Sequence, residues 1–204
     1  MRHLLSIILA LALPLPQGVG GKGGLGGKGG FGGNIPTGTI ARTFNGSSDF
    51  LNSAATLNLT SYNQLSGMFW VSWVNFDNNN ELLAEFSASF GGCTLNVGPN
   101  VCFDINPDAF DGKFDIDVHN SLGSMTCKFT RPSSGAIHKY AWAWDLSVNP
   151  NTCAVWIDGA SVSTTTAGAL TATGDTFSNQ TLYIMSRAGS SLFAAGTLSR
   201  FAFG

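Results

Sequence analysis

A chain of 204 residues is long enough for one domain with a substantial core, yet only 11% of it is charged, against ~25% in ordinary soluble domains. Ten basic and twelve acidic residues leave a formal charge of −2, and with Arg2, Lys22 and Lys28 set aside the remainder carries about −5. Basic residues this few and this scattered exclude nucleic acid as a partner, because binding a polyphosphate depends on clustered Lys and Arg, while the abundance of Gly, Ser, Thr and Asn suits an extracellular β protein.

In chain order, Met1-Arg2-His3 precedes an apolar run from Leu4 to Leu15 that is too short to span a bilayer and is interrupted by Pro14 and Pro16. Residues 1–18 are therefore expected to be a secretory signal peptide or an uncleaved hydrophobic segment, with cleavage after Ala10-Leu11-Ala12 or near Gly18 or Gly20 and no transmembrane span in the mature chain. Residues 19–36 form a Gly-rich arm whose core, Gly20 to Gly33, repeats as GGK-GGL-GGK-GGF-GG. With so little side chain to bury, it is expected to act as a flexible tether. Its three-residue period also matches a polyproline-II-like helix, which would let copies bundle into a homo-oligomer. The tract resembles the polyglycine bundles of some phage tail adhesins, in its period alone.

Residues 37–204 are expected to be the folded domain. Strand candidates are Thr39–Phe44, Met68–Phe76, Leu82–Phe90, Phe114–His119, Met125–Thr130, Lys139–Asp145, Cys153–Asp158, Thr181–Ser186 and Leu198–Phe203, separated by Gly, Asn, Pro, Ser and Thr. No window keeps a 3.6-residue period, so the fold class is all-β, an antiparallel two-sheet β-sandwich or jelly roll. The clearest stretch is His138 to Val162. Tyr140, Trp142 and Trp144 share one face of a strand, expected to be core, while Ala141, Ala143 and Asp145 share the other. Trp156 lies opposite Val155 and Ile157, which makes it the candidate for exposed stacking on a sugar ring. Four cysteines in a secreted chain suggest two disulfides, and four allow three pairings. Cys93 with Cys102 across a short loop, and Cys127 with Cys153 across the sandwich, is the pairing expected.

The segments TFNGSSDFLNSAATLNL, MFWVSWVNF, HKYAWAWDLSVNPNTCAVWIDGASV, TLYIMSR and FAAGTLSRFAFG occur in this order between about Thr39 and Gly204. Together they resemble the laminin G-like domains within the concanavalin A-like lectin and glucanase fold. Asn45 stands where an F-D-G-x-x-D-Y opening has Asp. His138, Asp145 and the Asp158-Gly159 turn match H-x-V-A-x-x-x-D and Y-V-D-G elements, with Ile137 where a Trp often stands. Met185 replaces a common Gly, and Ser199-Arg200 stand where acidic residues are frequent. The resemblance implies a two-sheet jelly roll in a secreted or surface setting, with glycan or protein binding and sometimes calcium.

Asp115, Asp117 and His119 alternate with Phe114, Ile116 and Val118, which places the three polar groups on one face of a strand. This resembles the Glu-x-Asp-x-Glu strand of related β-glucanases, where carboxylates about 5.5 Å apart act as nucleophile and acid/base. Asp is shorter than Glu and His is a poor proton donor to a glycosidic oxygen, so a degenerate hydrolase is kept only as an alternative. Asp104, Asn106, Asp108 and Asp111 are candidate calcium ligands. An EF-hand is rejected because Ala109 and Asp115 stand where Gly and Glu are required. Asn45-Gly-Ser47, Asn58-Leu-Thr60 and Asn179-Gln-Thr181 fit the glycosylation pattern, and no nucleophile elbow or phosphate loop occurs. The expected function is a non-catalytic secreted or surface module that binds a glycan or an extracellular protein through Asp115, Asp117, His119 and Trp156 or through rim loops near Asn78, Gly92 and Asn149. The alternative class is a structural or decorative subunit of a virion or surface appendage that assembles through its Gly-rich arm.

Overall fold

The computed structural model describes residues 41–87, 100–120, 123–148, 151–168, 170 and 175–204. The expectations for residues 1–18 and 19–36, for Cys93 and its pairing with Cys102, and for the loops at Gly92 and Asn149 lie outside the described residues. Among the described residues there is no helix, and hence none long and apolar enough to cross a membrane. The strands are β1 (Arg42–Asn45), β2 (Leu51–Asn52), β3 (Leu57–Asn58), β4 (Gln64–Trp73), β5 (Ala84–Phe86), β6 (Asn100–Asn106), β7 (Phe114–Asn120) and β8 (Gly123–Phe129). They continue with β9 (His138–Asp145), β10 (Thr152–Ile157), β11 (Ala160–Ser161), β12 (Thr165–Gly168), β13 (Thr176–Phe177), β14 (Asn179–Gln180), β15 (Leu182–Ile184) and β16 (Ala195–Phe203).

Two antiparallel sheets carry the fold. A six-stranded sheet runs β1-β16-β4-β9-β10-β11, and an eight-stranded sheet runs β12-β8-β7-β6-β5-β15-β2, with β13 added in parallel to the start of β6. The inner faces are those that alternation demands. Tyr140, Trp142 and Trp144 are each 2% exposed; Tyr140 meets Phe69 of the neighbouring strand and Phe114 of the facing sheet, and Trp142 meets Phe103 of the facing sheet. Ring centroids stand 4.7 Å apart for Phe69 and Tyr140 and 4.6 Å for Phe114 and Phe129, within the range in which aromatic pairs add to area burial. Gly67 is the one position on β4 where a side chain is forbidden, since a Cβ there would lie 2.6 Å from the Trp142 ring. Cys127 on β8 is bonded to Cys153 on β10, which ties one sheet to the other as expected.

Three local features match the sequence patterns physically. Asn45 Oδ1 accepts the backbone N–H groups of Ser47, Ser48 and Asp49, so Asn serves the turn where Asp is usual in the resembled opening. Asp158 (φ 53°) and Gly159 (φ 86°) form a two-residue turn between Ile157 and its partner Ala160, the geometry that favours Asp-Gly in hairpins. Met185, standing where Gly is common, is fully buried at φ 63°, so it carries a backbone conformation that a side chain disfavours.

Two expectations are corrected. The strand expected over Met68–Phe76 begins at Gln64 and ends at Trp73, short of Phe76, and Asn78 and Asn80 beyond it adopt left-handed conformations (φ 64° and 61°). The stretch read as a calcium loop contains a strand, β6. Val101, Phe103 and Ile105 are fully buried on its inner face, which leaves Asp104 and Asn106 pointing outward on a sheet and not inward on a loop.

Opening the disulfide should loosen the sandwich. The bond closes a separation of 26 residues, and its removal by Cys127→Ser with Cys153→Ser is expected to cost about 3–4 kcal/mol on a loop-closure model. Equilibrium urea unfolding of the double variant checks this, and an unchanged midpoint would show that the two sheets are held by packing alone.

Candidate functional site

The outer face of the eight-stranded sheet carries a line of polar side chains in register. Tyr183 on β15 faces Glu85 on β5, Glu85 faces Asp104 on β6, Asp104 faces Asp117 on β7, and Asp117 faces Thr126 on β8. Neighbouring strands are ~4.8 Å apart, so three carboxyl groups stand side by side. On one side the next line is Cys102, His119 and Ser124, and on the other it is Asn106, Asp115 and Lys128. The face is recessed. Glu85 is only 1% exposed and Asp104 8%, while Asp117, His119 and Thr126 are half-buried.

Each acid has specific neighbours. Glu85 Oε1 accepts from Arg187 Nε at 3.1 Å, and its Oε2 accepts from the Ala188 amide at 3.0 Å. Arg187 Nη2 lies 3.9 Å from Asp104 Oδ2, which also pairs with His119 Nε2 at 3.2 Å. Asp117 Oδ1 accepts from the Thr126 hydroxyl. Lys128 Nζ bridges Asp115 at 3.1 Å and Asp111 at 2.6 Å. Burial pushes the Glu85 carboxyl up to about 7, the Arg187 charge and the Ala188 amide offsetting only part of it. Burial and then the charge of Asp104 push Asp117 up to about 7, against the Thr126 hydrogen bond. Asp115 is also raised, because burial outweighs Lys128. His119 would be lowered by burial, but the hydrogen bond and charge of Asp104, with the charge of Asp117, raise it.

Asp104, Asp117 and His119 each offer one ligand atom, all within 4.8 Å of one another. Among the described residues, this trio is the set that could hold a divalent cation. Calcium prefers six to eight oxygens, whereas an imidazole beside two carboxylates suits a first-row transition metal. The four expected calcium ligands do not converge. Asp104 faces His119 and Arg187, Asn106 donates to Asn80, Asp111 holds Lys128, and Asp108 pairs with Arg131 while accepting the amides of Asp77 and Asn79. Burial alone would raise Asp108, but the amides of Asn79, Asn78 and Asp77 hold it below the usual carboxylate range, so it fastens a turn.

The expected ligand set is split as well. Asp115, Asp117 and His119 do share a face, but Asp115 is buried and committed to Lys128, and Trp156 lies on the outer face of the other sheet. Glu85 and Arg187 were not anticipated. The signal for Glu85 was a single acid inside the apolar run Leu82-Leu83-Ala84-Glu85-Phe86; Arg187 had none, because it reaches the site from the segment after β15. A second concavity of about 700 Å³ opens at one end of the six-stranded sheet, lined by Tyr62, Gln64, Ser66, Ala143, Asp145 and Ala154 among others.

No protein-family model matches the sequence, and no curated protein does. Among solved structures, the chain is similar to the native heptameric SAP-like pentraxin from Limulus polyphemus (14% identity, TM-score 0.53, covering 80% of this chain and 74% of that one). It is also similar to domains LG4-5 of the mouse laminin alpha1 chain (17% identity, TM-score 0.51, covering 81% of this chain and 41% of that one). These likenesses place the domain in the concanavalin A-like jelly-roll fold.

The raised groups set the pH response. Glu85 and Asp117 contribute their full stability below the ordinary carboxylate range and lose it as pH rises through about 7, and raised His119 loses its share in the same direction. Asp108 and Asp111, which are lowered, act oppositely and lose theirs at strongly acid pH. Melting temperature is therefore expected to peak in mild acid and to fall between pH 5 and pH 8. Glu85→Gln combined with Asp117→Asn should flatten that fall, and a wild-type curve rising over the same interval contradicts the assignment.

Proposed function

We propose that this protein is a non-catalytic recognition module of the laminin G-like type, secreted or displayed on a cell or particle surface, which binds a glycan through the recessed acidic face of its eight-stranded sheet. One observation carries the reading, the placement of Glu85, Asp104 and Asp117 side by side on adjacent strands. Like charges directly opposite one another weaken a sheet, and buried carboxyls with raised pKa values cluster where function rather than stability is served. Within this row Asp104 and Asp117 are the acids that can meet a sugar hydroxyl, while Glu85, 1% exposed with its oxygens accepting from Arg187 and the Ala188 amide, backs them. Thr126, Tyr183 and His119 at its margins supply groups that also donate. The Cys127–Cys153 disulfide fits an oxidising setting. The laminin G-like assignment rests on the ordered motifs from Asn45 to Arg200.

A degenerate hydrolase is the second reading, favoured by a single feature, the Asp117 carboxyl held near 7 beside Asp104. The pair at i and i+4 that a glucanase-like strand would use, Asp115 and His119, is taken up by Lys128 and Asp104. One substitution separates the readings. Asp117→Ala is expected to weaken binding on a glycan array and in calorimetry by about 1–2 kcal/mol, roughly tenfold, with no sugar released by the wild type from any substrate. Measurable wild-type turnover that Asp117→Ala abolishes, with binding intact, would replace recognition by catalysis. An Asp117→Ala variant that binds as the wild type does removes this face as the site.

A further inference from the structure

The outer face of the six-stranded sheet has an organisation of its own. Trp156, Ala141, Met68 and Ala202 stand in register across β10, β9, β4 and β16. Trp156 is 36% exposed and Met68 46%, whereas Ala141 lies between them and Ala202 beyond Met68, with Ala143 and Ala154 in the next line. Alanine is a poor strand former, and an outward sheet face built on it is flat and low, with the indole and the thioether standing above it. In the line on the other side, Lys139, Trp70 and Arg200 are in register. The Lys139 ammonium lies 4.9 Å from the Trp70 ring and the Arg200 guanidinium 4.7 Å. Both side chains are exposed, and neither forms an ion pair with a carboxylate among the described residues. The neighbouring Asp158 carboxylate is occupied by His138 Nδ1 at 2.7 Å and the Lys139 amide at 2.8 Å.

Arg200 reaches this line by a specific device. The register of β16 against β4 pairs Leu198 with Val71 and then Arg200 with Trp70, skipping Ser199. Without that bulge Arg200 would share the inward face of Leu198, which is buried. The extra residue reverses the alternation and turns Arg200 outward over Trp70, a use for which bulges are retained near functional positions. The far end of the same face carries different chemistry. About 20 Å of strand separates Lys139 from Asp145, and there the 700 Å³ recess is bordered by Tyr62, Ser66 and the Asp145 carboxylate, which accepts from Gln64 Nε2 at 2.9 Å and from the Ser147 amide at 2.8 Å and keeps its negative charge at that end. A uniformly charged polyanion meets repulsion from Asp145. A ligand with one anionic end and a neutral remainder meets cations at one end and an apolar platform of Trp156 and Met68 beyond them.

We infer that this face binds an oligosaccharide carrying an acidic group at one end, its carboxylate or sulfate held by Lys139 and Arg200 on either side of Trp70 and its neutral rings laid on the Trp156 and Met68 platform toward the Tyr62 recess. The site is on the opposite sheet from the acidic row and does not depend on it. Calorimetry with a tetrasaccharide ending in one glucuronate, the same chain ending in one sulfate ester, the neutral chain, a fully sulfated chain and oligothymidylate tests it. The singly acidic chains are expected to bind about tenfold more tightly than the neutral one, and the two acidic termini show which anion is preferred. Lys139→Gln with Arg200→Gln should remove that tenfold advantage at unchanged melting temperature, and Trp156→Ala should weaken acidic and neutral chains alike. Equal binding of acidic and neutral chains, an advantage that survives the double substitution, or tightest binding by the sulfated chain or oligothymidylate would overturn the inference.

Discussion

Everything on both surfaces of this domain depends on the period-two alternation that the buried aromatic ladder enforces. Tyr140, Trp142 and Trp144 occupy the centre of the core, Tyr140 against Phe114 and Trp142 against Phe103 of the facing sheet. A slip of one residue would put three large rings into water and three small or polar side chains into the core, so the register of β9 is determined by an energy of many kcal/mol. The glycine at position 67 sharpens this further, because only one alignment of β4 leaves room for the Trp142 ring. Once β9 is set, Lys139, Ala141, Ala143 and Asp145 must face outward, and the strands on either side inherit the same assignment. The Cys127–Cys153 bond then relates the two sheets to each other.

On the eight-stranded sheet the same rule produces an electrostatic cost. Glu85, Asp104 and Asp117 cannot be moved apart, since each lies between buried residues of its strand that fix its direction. The molecule relieves the crowding in three ways at once. Arg187 and His119 place positive groups against Glu85 and Asp104, Thr126 donates to Asp117, and the Glu85 and Asp117 carboxyls hold their protons to about pH 7. A sheet selected for stability alone would carry Thr or Ser in such a row. The acids at Asp108 and Asp111 follow the opposite logic: each has its full complement of donors, and each belongs to the turns that join strands.

Fold was legible in the sequence because it is written in alternation, which survives changes of individual residues. The ladder of β9, the Asp-Gly turn and the pairing of Cys127 with Cys153 follow from patterns a few residues long. The acidic site was legible by halves. Asp117 and His119 could be placed on one face because they are on one strand, but Asp104 and Glu85, in register with Asp117 on the next two strands, lie 13 and 32 residues before it in the chain. Asp104 was misread with Asn106 because polar residues beside Pro107 resemble a turn. The apolar positions Val101, Phe103 and Ile105 carried the strand signal. Grouping Trp156 with Asp117 failed for a topological reason, since no local pattern states which of two sheets a strand joins.

The bulge at Ser199 shows how such a fold gains a second, independent surface at little cost. The alternation that forces acids onto one sheet would have buried Arg200 on the other. One inserted residue reverses it locally, and β16 resumes its pairing with Phe201 against Phe69, so the core keeps its aromatic packing. The basic side chain is thereby placed beside Lys139 over Trp70, where neither cation forms an ion pair with a carboxylate among the described residues. The domain as a whole is acidic, and its exposed cations near Trp70 sit on the sheet farthest from the Glu85, Asp104 and Asp117 row. The row of acids and the pair of cations over Trp70 therefore lie on opposite sheets, and register alone puts them there.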